Sequence, residues 1–458
     1  MSKPAKTREI PGARALALDI LARAARRGES VEDGLAAALR RHPNLPRQER
    51  AFLLELVQGV KRWEIRLDYI LGQVADKPLK KLHPLVLLIL RLGAFQLLYL
   101  DRVPPRAAVA EAASLARARR LPQAHVGFIN AMLRRLAEGE PPTLPGPKDD
   151  PVLALGIAAA HPGWLAARWL KRWGREEAQA RLDADNRIPP LTIRVNTLKT
   201  DPQALVKRLA EEGVTAVPCR FSPVGLNLTV LSAAPPDLPS YREGLWLFQD
   251  EAAQLTTFLL PVSPGQKILE IGAGRGGKTT HLAEGLANQG LILALDRHRS
   301  RLKTLRLNLA RWGATAAQPL LADATRPLPL KPGKFDAVLV DAPCSALGIL
   351  RRHPEIKTRL TEADLATFPP RQLAILEQAA PLLRSGGRLL YVTCTTEPEE
   401  NEGVIENFLQ GHPEFSLIND PSPLPPAARP LLQPPGFFQT SPATHNLDAF
   451  FAALLLRG

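Results

Sequence analysis

The stretch "ILEIGAGRGGKTT" (residues 268–280) decides the fold. A short apolar run carrying one carboxylate, Ile268–Ile271, meets four glycines between Gly272 and Gly277 and then a Lys-Thr-Thr step. That order reads as strand, turn and helix start. Glycines in such a turn allow positive φ and let backbone approach a ligand closely. The same rhythm continues downstream. Short apolar runs, "LILALD" (291–296), "PLLAD" (319–323), "FDAVLVDAP" (335–343) and "GRLLYVTC" (387–394), alternate with helix-type stretches. Strands alternating with helices predict an α/β fold, a Rossmann-like parallel sheet with helices on both faces. Ligands of such sheets bind beyond the carboxyl ends of the strands. Those ends carry Glu270, Asp296, Asp323, Asp341 and Cys394. "LDAFFAALLLRG" (447–458) is expected to add a last strand, and residues 421–436 read as a Pro-rich loop.

Upstream the pattern changes. "LTIRVNT" (191–197) and "LNLTVL" (226–231) read as strands, "DPQALVKRLAEEG" (201–213) as an Asp-capped helix, and "GLWLFQDEAAQL" (244–255) as helix again. This is a small α+β unit. Residues 12–137 read as helix throughout, with "HPLVLLILRLGAFQLLYL" (83–100) apolar nearly all round and therefore the central buried helix. "GEPPTLPGPKDDP" (139–151) marks a linker. The expected division is a helical domain over 1–140, linker and short helices over 141–186, the small α+β lobe over 187–250, and the parallel-sheet domain over 251–458.

The totals agree with several domains, since 458 residues exceed one domain of about 100–200. Apolar residues are 45% and charged residues 23%, ordinary for a soluble globular chain. Lys and Arg number 59 against 45 Asp and Glu, net +14. Residues 1–140 hold 25 basic and 14 acidic residues, so +11 of the +14 sits there. A basic part joined to a near-neutral one points to a polyanionic partner, nucleic acid above all. Three scattered cysteines exclude a disulfide framework or a zinc cluster and fit a reducing cytosol. Residues 84–100 are broken by Arg91 and closed by Asp101, too interrupted to span a bilayer, and "MSKPAKTREIPGA" lacks an apolar signal core. A cytoplasmic, unprocessed monomer without a metal is expected.

The motifs carry chemistry. Asp296 lies 20 residues beyond Gly276, where a carboxylate takes the two hydroxyls of a ribose. Asp323 follows the third strand, within reach of an adenine. "GRGGKTT" superficially resembles a phosphate loop, but the glycine spacing before Lys278 is wrong for one. A glycine loop alone also occurs in dehydrogenases. Taken with Asp296 and Asp323 it favours an adenosine ligand. "VLVDAPCSALG" (338–348) ends the fourth strand in Asp341 and Cys344 on a turn stiffened by Pro343. "YVTCTT" (391–396) places Cys394 after the fifth. Buried cysteines are often inert packing residues. Two of them at the ends of adjacent strands, on the ligand side of the sheet beside an adenosine site, favour chemistry instead. A thiolate adding to carbon 6 of cytosine makes carbon 5 nucleophilic toward the methyl of S-adenosyl-L-methionine. That reaction needs one nucleophilic Cys and an acid near the ring.

"DAPCS" with "YVTCTTEPEENE" resembles the two-cysteine signature of Sun-type RNA 5-methylcytosine methyltransferases. "LTIRVNTLK" and "FQDEAAQL" are similar to that family's upstream elements. "LRLGAFQLLYLDRVPPRAAVAEA" and "INAMLRRL" resemble a NusB-like RNA-binding domain. The combination resembles the bacterial small-subunit ribosomal RNA methyltransferases over nearly the whole chain. The resemblance implies methyl transfer from S-adenosyl-L-methionine to carbon 5 of a cytosine in 16S ribosomal RNA. It implies RNA binding by the helical domain and by the α+β lobe. It makes Cys394 the attacking thiolate and Cys344 an aid to product release, puts Asp341 at the cytosine face and Lys278 nearby. Donor binding maps to Gly272, Ala273, Gly274, Arg275, Gly276, Gly277, Lys278, Asp296, Asp323 and Asp341. The family's usual "CAAPGGKT" is altered here, with Gly272 for the Cys and Arg275 for the Pro.

Other readings stay open: a methyltransferase acting on transfer RNA, one acting on a protein or small molecule, or a non-catalytic RNA-binding or antitermination factor. Cys219 is expected to be inert, and His445 and Asp448 to serve a turn. The acidic run Glu397–Glu402 is expected to organise the loop after Cys394 by pairing with basic neighbours. Trp164, Trp169 and Trp173 are expected to form a helix-face core rather than a base-stacking surface.

Overall fold

The structure is a computed structural model. It describes residues 12–140, 142–146, 148 and 150–458. The reading of the first eleven residues as lacking a signal core lies outside them. Among the described residues no helix is long and apolar enough to cross a membrane. The chain divides into two compact units. One runs to Asn186 and includes the remote segment Leu350–Leu360; the other is Arg187–Ile349 with Thr361–Gly458.

The first unit is helical: α1 (Ala13–Arg27), α2 (Val31–Arg41), α3 (Arg47–Val74), α4 (Pro84–Tyr99), α5 (Pro105–Ala118), α6 (Gln123–Glu138), α7 (Pro151–Ala158) and α8 (Gly163–Ala184). α4 is the central helix expected from its composition, with Ile89, Leu90 and Ala94 fully buried. Its one charge is matched rather than exposed. Arg91 makes a two-pronged pair with Asp68 of α3, at 2.7 and 2.6 Å, and a third contact to Glu64 at 2.6 Å. Such a fork satisfies a buried guanidinium. Gly59 lets α3 approach α4, since a Cβ there would fall 1.9 Å from the ring of Phe95. α8 is two shorter helices joined across Gly174, whose φ of 73° and ψ of 178° are not helical, in keeping with the short helices expected over 152–186. Trp169 is buried and meets Trp173 edge-on at 5.3 Å, the packing role expected of it, whereas Trp164 and Trp173 are half-buried. The segment Leu350–Leu360 adds its own polar ties. The Arg351 carbonyl accepts from Arg62 at 2.9 Å, and Lys357 donates to Asn186 at 2.6 Å.

The second unit opens with an antiparallel sheet of β1 (Leu191–Val195), β2 (Thr215–Pro218), β3 (Gly225–Val230) and β4 (Trp246–Phe248), ordered β2-β3-β1-β4. Helix α9 (Pro202–Glu211) is capped by Asp201, which accepts from Ala204 N–H at 2.9 Å. A single turn, α10 (Pro239–Arg242), precedes β4. "GLWLFQDEAAQL" is not all helix: Trp246–Phe248 pairs antiparallel with Ile193–Val195, and α11 (Glu251–Phe258) starts only after the Asp250 cap. The wholly buried Trp246 belongs to the core of the small sheet. Tertiary pairing there outweighs the helical pattern of the sequence.

The larger sheet contains β5 (Lys267–Ile271), β6 (Leu291–Asp296), β7 (Ala317–Leu321), β8 (Phe335–Asp341) and β9 (Leu383–Thr393), parallel in the order β7-β6-β5-β8-β9. Helices α12 (Gly277–Gly285) and α13 (Arg299–Trp312) follow β5 and β6. Apolar clusters lie on both faces of the sheet, which is why its strands read as nearly continuous apolar runs. Beyond β9 the sheet turns antiparallel through β13 (Phe451–Arg457), the expected last strand, which also pairs with β10 (Phe415–Leu417). β11 (Leu432–Gln433) and β12 (Phe437–Gln439) extend it. β11 and a short 3-10 turn, Pro426–Leu431, occupy residues expected to be loop.

Candidate active site

The glycine loop joins β5 to α12. Gly272, Gly274 and Gly276 have φ of 85°, 56° and 93°. A Cβ on Gly272 would sit 2.2 Å from the carbonyl oxygen of Asp341, so the end of β5 can approach the end of β8 only without a side chain there. The N–H groups of Gly272 and Ala273 both donate to the Leu295 carbonyl at 2.9 Å, tying the loop to β6. Asp296 ends β6 and is buried. One of its oxygens accepts from Gly274 N–H at 3.0 Å and the other from His298 N–H at 2.7 Å. The carbonyl of Arg275 accepts from Asn308 of α13 at 2.8 Å. Asp323 lies past β7, where the Thr325 N–H and hydroxyl donate to it at 3.0 and 2.8 Å. Those two bonds hold its carboxyl below the usual carboxylate range.

At the end of β8, Asp341 accepts from Lys278 at 2.8 Å. The Lys278 ammonium also lies 5.4 Å from the centre of the Phe450 ring. Glu270, one residue from the end of β5, is wholly buried. Burial pushes its carboxyl up to about 7, and one of its oxygens has no hydrogen-bond partner.

The two cysteines meet. Cys344 Sγ and Cys394 Sγ are 3.4 Å apart, and the Cys394 N–H points at Cys344 Sγ, also at 3.4 Å. Adjacent parallel strands bring them together. Ala342 N–H donates to Val392 O at 2.9 Å, and Gly348 N–H to Cys394 O at 3.0 Å. The hydrogen bond to Cys394 and burial push the Cys344 thiol well up, and the nearby Glu400 adds to this. The structure thus joins Cys344 to Cys394, Lys278 to Asp341 and Gly274 to Asp296. It ties the Asp323 carboxylate to Thr325.

The secondary readings fare as follows. His445 accepts from Ser441 N–H at 3.1 Å, a turn role. Burial pushes the Cys219 thiol far up, as an inert residue requires. Within the acidic run, Glu400 is served by neutral donors instead of basic neighbours: Ser345 N–H at 2.9 Å, the Gln372 amide at 3.0 Å and the Thr395 hydroxyl at 3.3 Å. Arg194 and Gln372 went unnoticed in the sequence. Arg194, on β1 and wholly buried, donates to the Gly277 carbonyl at 2.6 Å where α12 begins. A lone charge inside the apolar "LTIRV" was the available signal.

A parallel sheet in this order, with a glycine loop after its first strand and an acid after the second, is the frame of an adenosine-ligand site, and the family matches make the chain a methyltransferase of the S-adenosylmethionine-dependent class. Among solved structures, the chain is similar to a methyltransferase homolog protein from Pyrococcus horikoshii, at 28% identity over 68% of this chain and 100% of that one, TM-score 0.57. The crystal structure of PH0851 matches over 100% of both chains at 27% identity, TM-score 0.83. Residues 257–456 match the model for "16S rRNA methyltransferase RsmB/F", 11–138 the NusB family, and 161–232 a ferredoxin-like domain of RsmF/B-like methyltransferases. "Ribosomal RNA small subunit methyltransferase B" of Pseudomonas putida is 36% identical over 98% of each chain. "Probable ribosomal RNA small subunit methyltransferase B" of Synechocystis is 37% identical over 97% of this chain and 99% of that one. The chain belongs to the RsmB branch of this 16S ribosomal RNA methyltransferase family, as the two-cysteine motifs taken together with the NusB-like stretches imply.

Proposed function

We propose that the protein transfers a methyl group from S-adenosyl-L-methionine to carbon 5 of a cytosine in small-subunit ribosomal RNA, through a covalent adduct with Cys394. The observation that carries the reading is the pair of thiols 3.4 Å apart, held at the ends of adjacent strands. A methyltransferase that needs no adduct has no use for two thiols placed there.

The residues at the first two strand ends fit the donor. Each oxygen of Asp296 spends one lone pair on a backbone N–H and keeps another for a ribose hydroxyl. The unpartnered oxygen of Glu270 is a buried acceptor of the kind an ammonium satisfies. Gly272 to Lys278, with Asp323 and Asp341, complete the set assigned to the donor. When bound, S-adenosyl-L-methionine supplies an electrophilic methyl group.

The chain's own groups do the rest. The Cys394 thiolate bonds to carbon 6 of the ring and pushes electron density to carbon 5. Asp341, held by Lys278, faces ring nitrogen 3 and, carrying a proton, donates it there as negative charge develops. After carbon 5 is methylated, a base removes its proton and the Cys394–carbon 6 bond breaks. Cys344, whose thiol stays protonated, aids that release. The basic residues 12–140 fit an RNA partner, and the reading makes the protein a monomeric cytoplasmic enzyme.

The test uses labelled S-adenosyl-L-methionine with unmodified small-subunit ribosomal RNA and, in parallel, transfer RNA. Digestion and mass spectrometry then identify the nucleoside. The expected product is 5-methylcytidine in ribosomal RNA, lost in Cys394→Ser, with a trapped RNA adduct in Cys344→Ser. Label in transfer RNA, protein or small molecules would refute the substrate, and an active Cys394→Ser would refute the adduct.

A further inference from the structure

Two loops carry the thiols, and one carboxylate reaches both. Glu400 is 1% exposed. One of its oxygens accepts from Ser345 N–H, next to Cys344, and from Gln372. The other accepts from the Thr395 hydroxyl, next to Cys394. Ser345 and Thr395 also bond to each other through their hydroxyls at 2.7 Å, which closes a buried ring of contacts across the two turns. Gln372 extends it by donating to the Pro343 carbonyl at 3.1 Å. The Glu400 main chain is pinned as well, its carbonyl accepting from Tyr391 at 2.7 Å. Asn401 holds the stem of the second turn, accepting from the Thr393 hydroxyl at 2.5 Å and donating to Thr395 O at 3.0 Å.

We propose that Glu400 is a positioning residue: its carboxylate clamps the Cys344 turn to the Cys394 turn and reserves Cys344 for release while Cys394 attacks. This rests on the cytosine-5 reading above. The clamp fixes the spacing between the thiols. The charge fixes the division of labour, because a negative group close to Cys344 disfavours a second anion there. The groups facing Cys344 are Cys394, Glu400 and Tyr391. Of these Glu400 is the carboxylate, so its charge is what a variant can remove.

Glu400→Gln takes away the charge, keeps an oxygen for Ser345 N–H and Gln372, and turns its amide N–H toward the Thr395 hydroxyl, which can no longer donate there. Two readouts follow. In a Cys394→Ser background, the pH profile of iodoacetamide labelling at the Cys344 peptide is expected to move to lower pH. With labelled donor and small-subunit ribosomal RNA, turnover is expected to fall about 10-fold to 100-fold, as misplaced reacting groups do, while RNA adduct accumulates. Thr395→Val keeps the charge and cuts one arm of the clamp. It is expected to lower turnover without moving the labelling profile, and it serves if Glu400→Gln does not fold. Wild-type turnover in Thr395→Val overturns the clamp, and wild-type turnover in Glu400→Gln overturns the part its charge plays. An unmoved labelling profile in Glu400→Gln overturns the electrostatic part. The labelling arm needs no RNA, so a wild-type enzyme that makes no 5-methylcytidine would sink the reaction and leave the clamp to be judged on its own.

Discussion

Single residues decide whether the glycine loop can form. Gly272 takes φ 85°, a conformation that side chains resist. Its missing Cβ is also the space that the Asp341 carbonyl fills. Gly272→Ala is therefore expected to cost about 1–3 kcal/mol of stability and to weaken S-adenosyl-L-methionine binding at least as much. Gly274→Ala is the control: it also has positive φ, but a Cβ there would meet nothing closer than 3.8 Å. Melting temperature and titration calorimetry check both, and equal losses in the two variants would remove the close-approach argument. This part of the site was legible, because glycines, strand-end acids and strand-end cysteines announce themselves by type and place. The spacing of the two thiols was not. Cys344 and Cys394 are expected on adjacent strands, as the pairing of β8 with β9 has them, but a separation of 50 residues in sequence says nothing of the 3.4 Å between the sulfurs.

Elements were read well where one face or period dominated, and poorly where a distant partner set the conformation. Strands β5, β6, β8 and β9 are buried on both faces and show as apolar runs, whereas β4 is three residues long and exists because β1 lies beside it. β1 also carries the tie that a helix-or-strand reading passes over. Besides Gly277, Arg194 donates to Gln249 and Thr280 at 2.6 Å each and to Glu284 at 3.0 Å. Burial pulls its pKa down, and Glu284 works against that pull. Arg194→Met leaves the Glu284 carboxylate buried without this partner, which is expected to cost about 3–5 kcal/mol. Glu284→Gln added to it should recover part of the loss, because the uncompensated charge goes. Denaturant unfolding of the two singles and the double settles the point. Strict additivity would mean that the pair is not coupled.

At the scale of the whole molecule, composition located the basic N-terminal part of the chain, but no period or motif tells that Leu350–Leu360 belongs with it. The segment follows the Cys344 turn in sequence, yet it packs in the helical unit. There Lys357 is 2% exposed and donates to Asn186, with Asp185 and Arg62 as its charged neighbours. Burial pulls Lys357 from 10.5 down to about 7. His161, on the same unit, is also pulled well below its ordinary value by burial and by Lys357, and so stays neutral above pH 7. The sign of the linkage follows. Above 10.5 the lysine is neutral folded and unfolded. Between 10.5 and about 7 the unfolded chain binds a proton that the folded chain does not, so stability falls as pH falls through this window. Lys357→Met removes that titration. The stability of the wild type relative to Lys357→Met is therefore expected to rise between pH 7 and 9, by at most about 1.4 kcal/mol per pH unit. Denaturant melts of both proteins at four pH values in that range measure it. Parallel curves would show that Lys357 keeps its proton in the fold, with Asp185 outweighing the cost of burial.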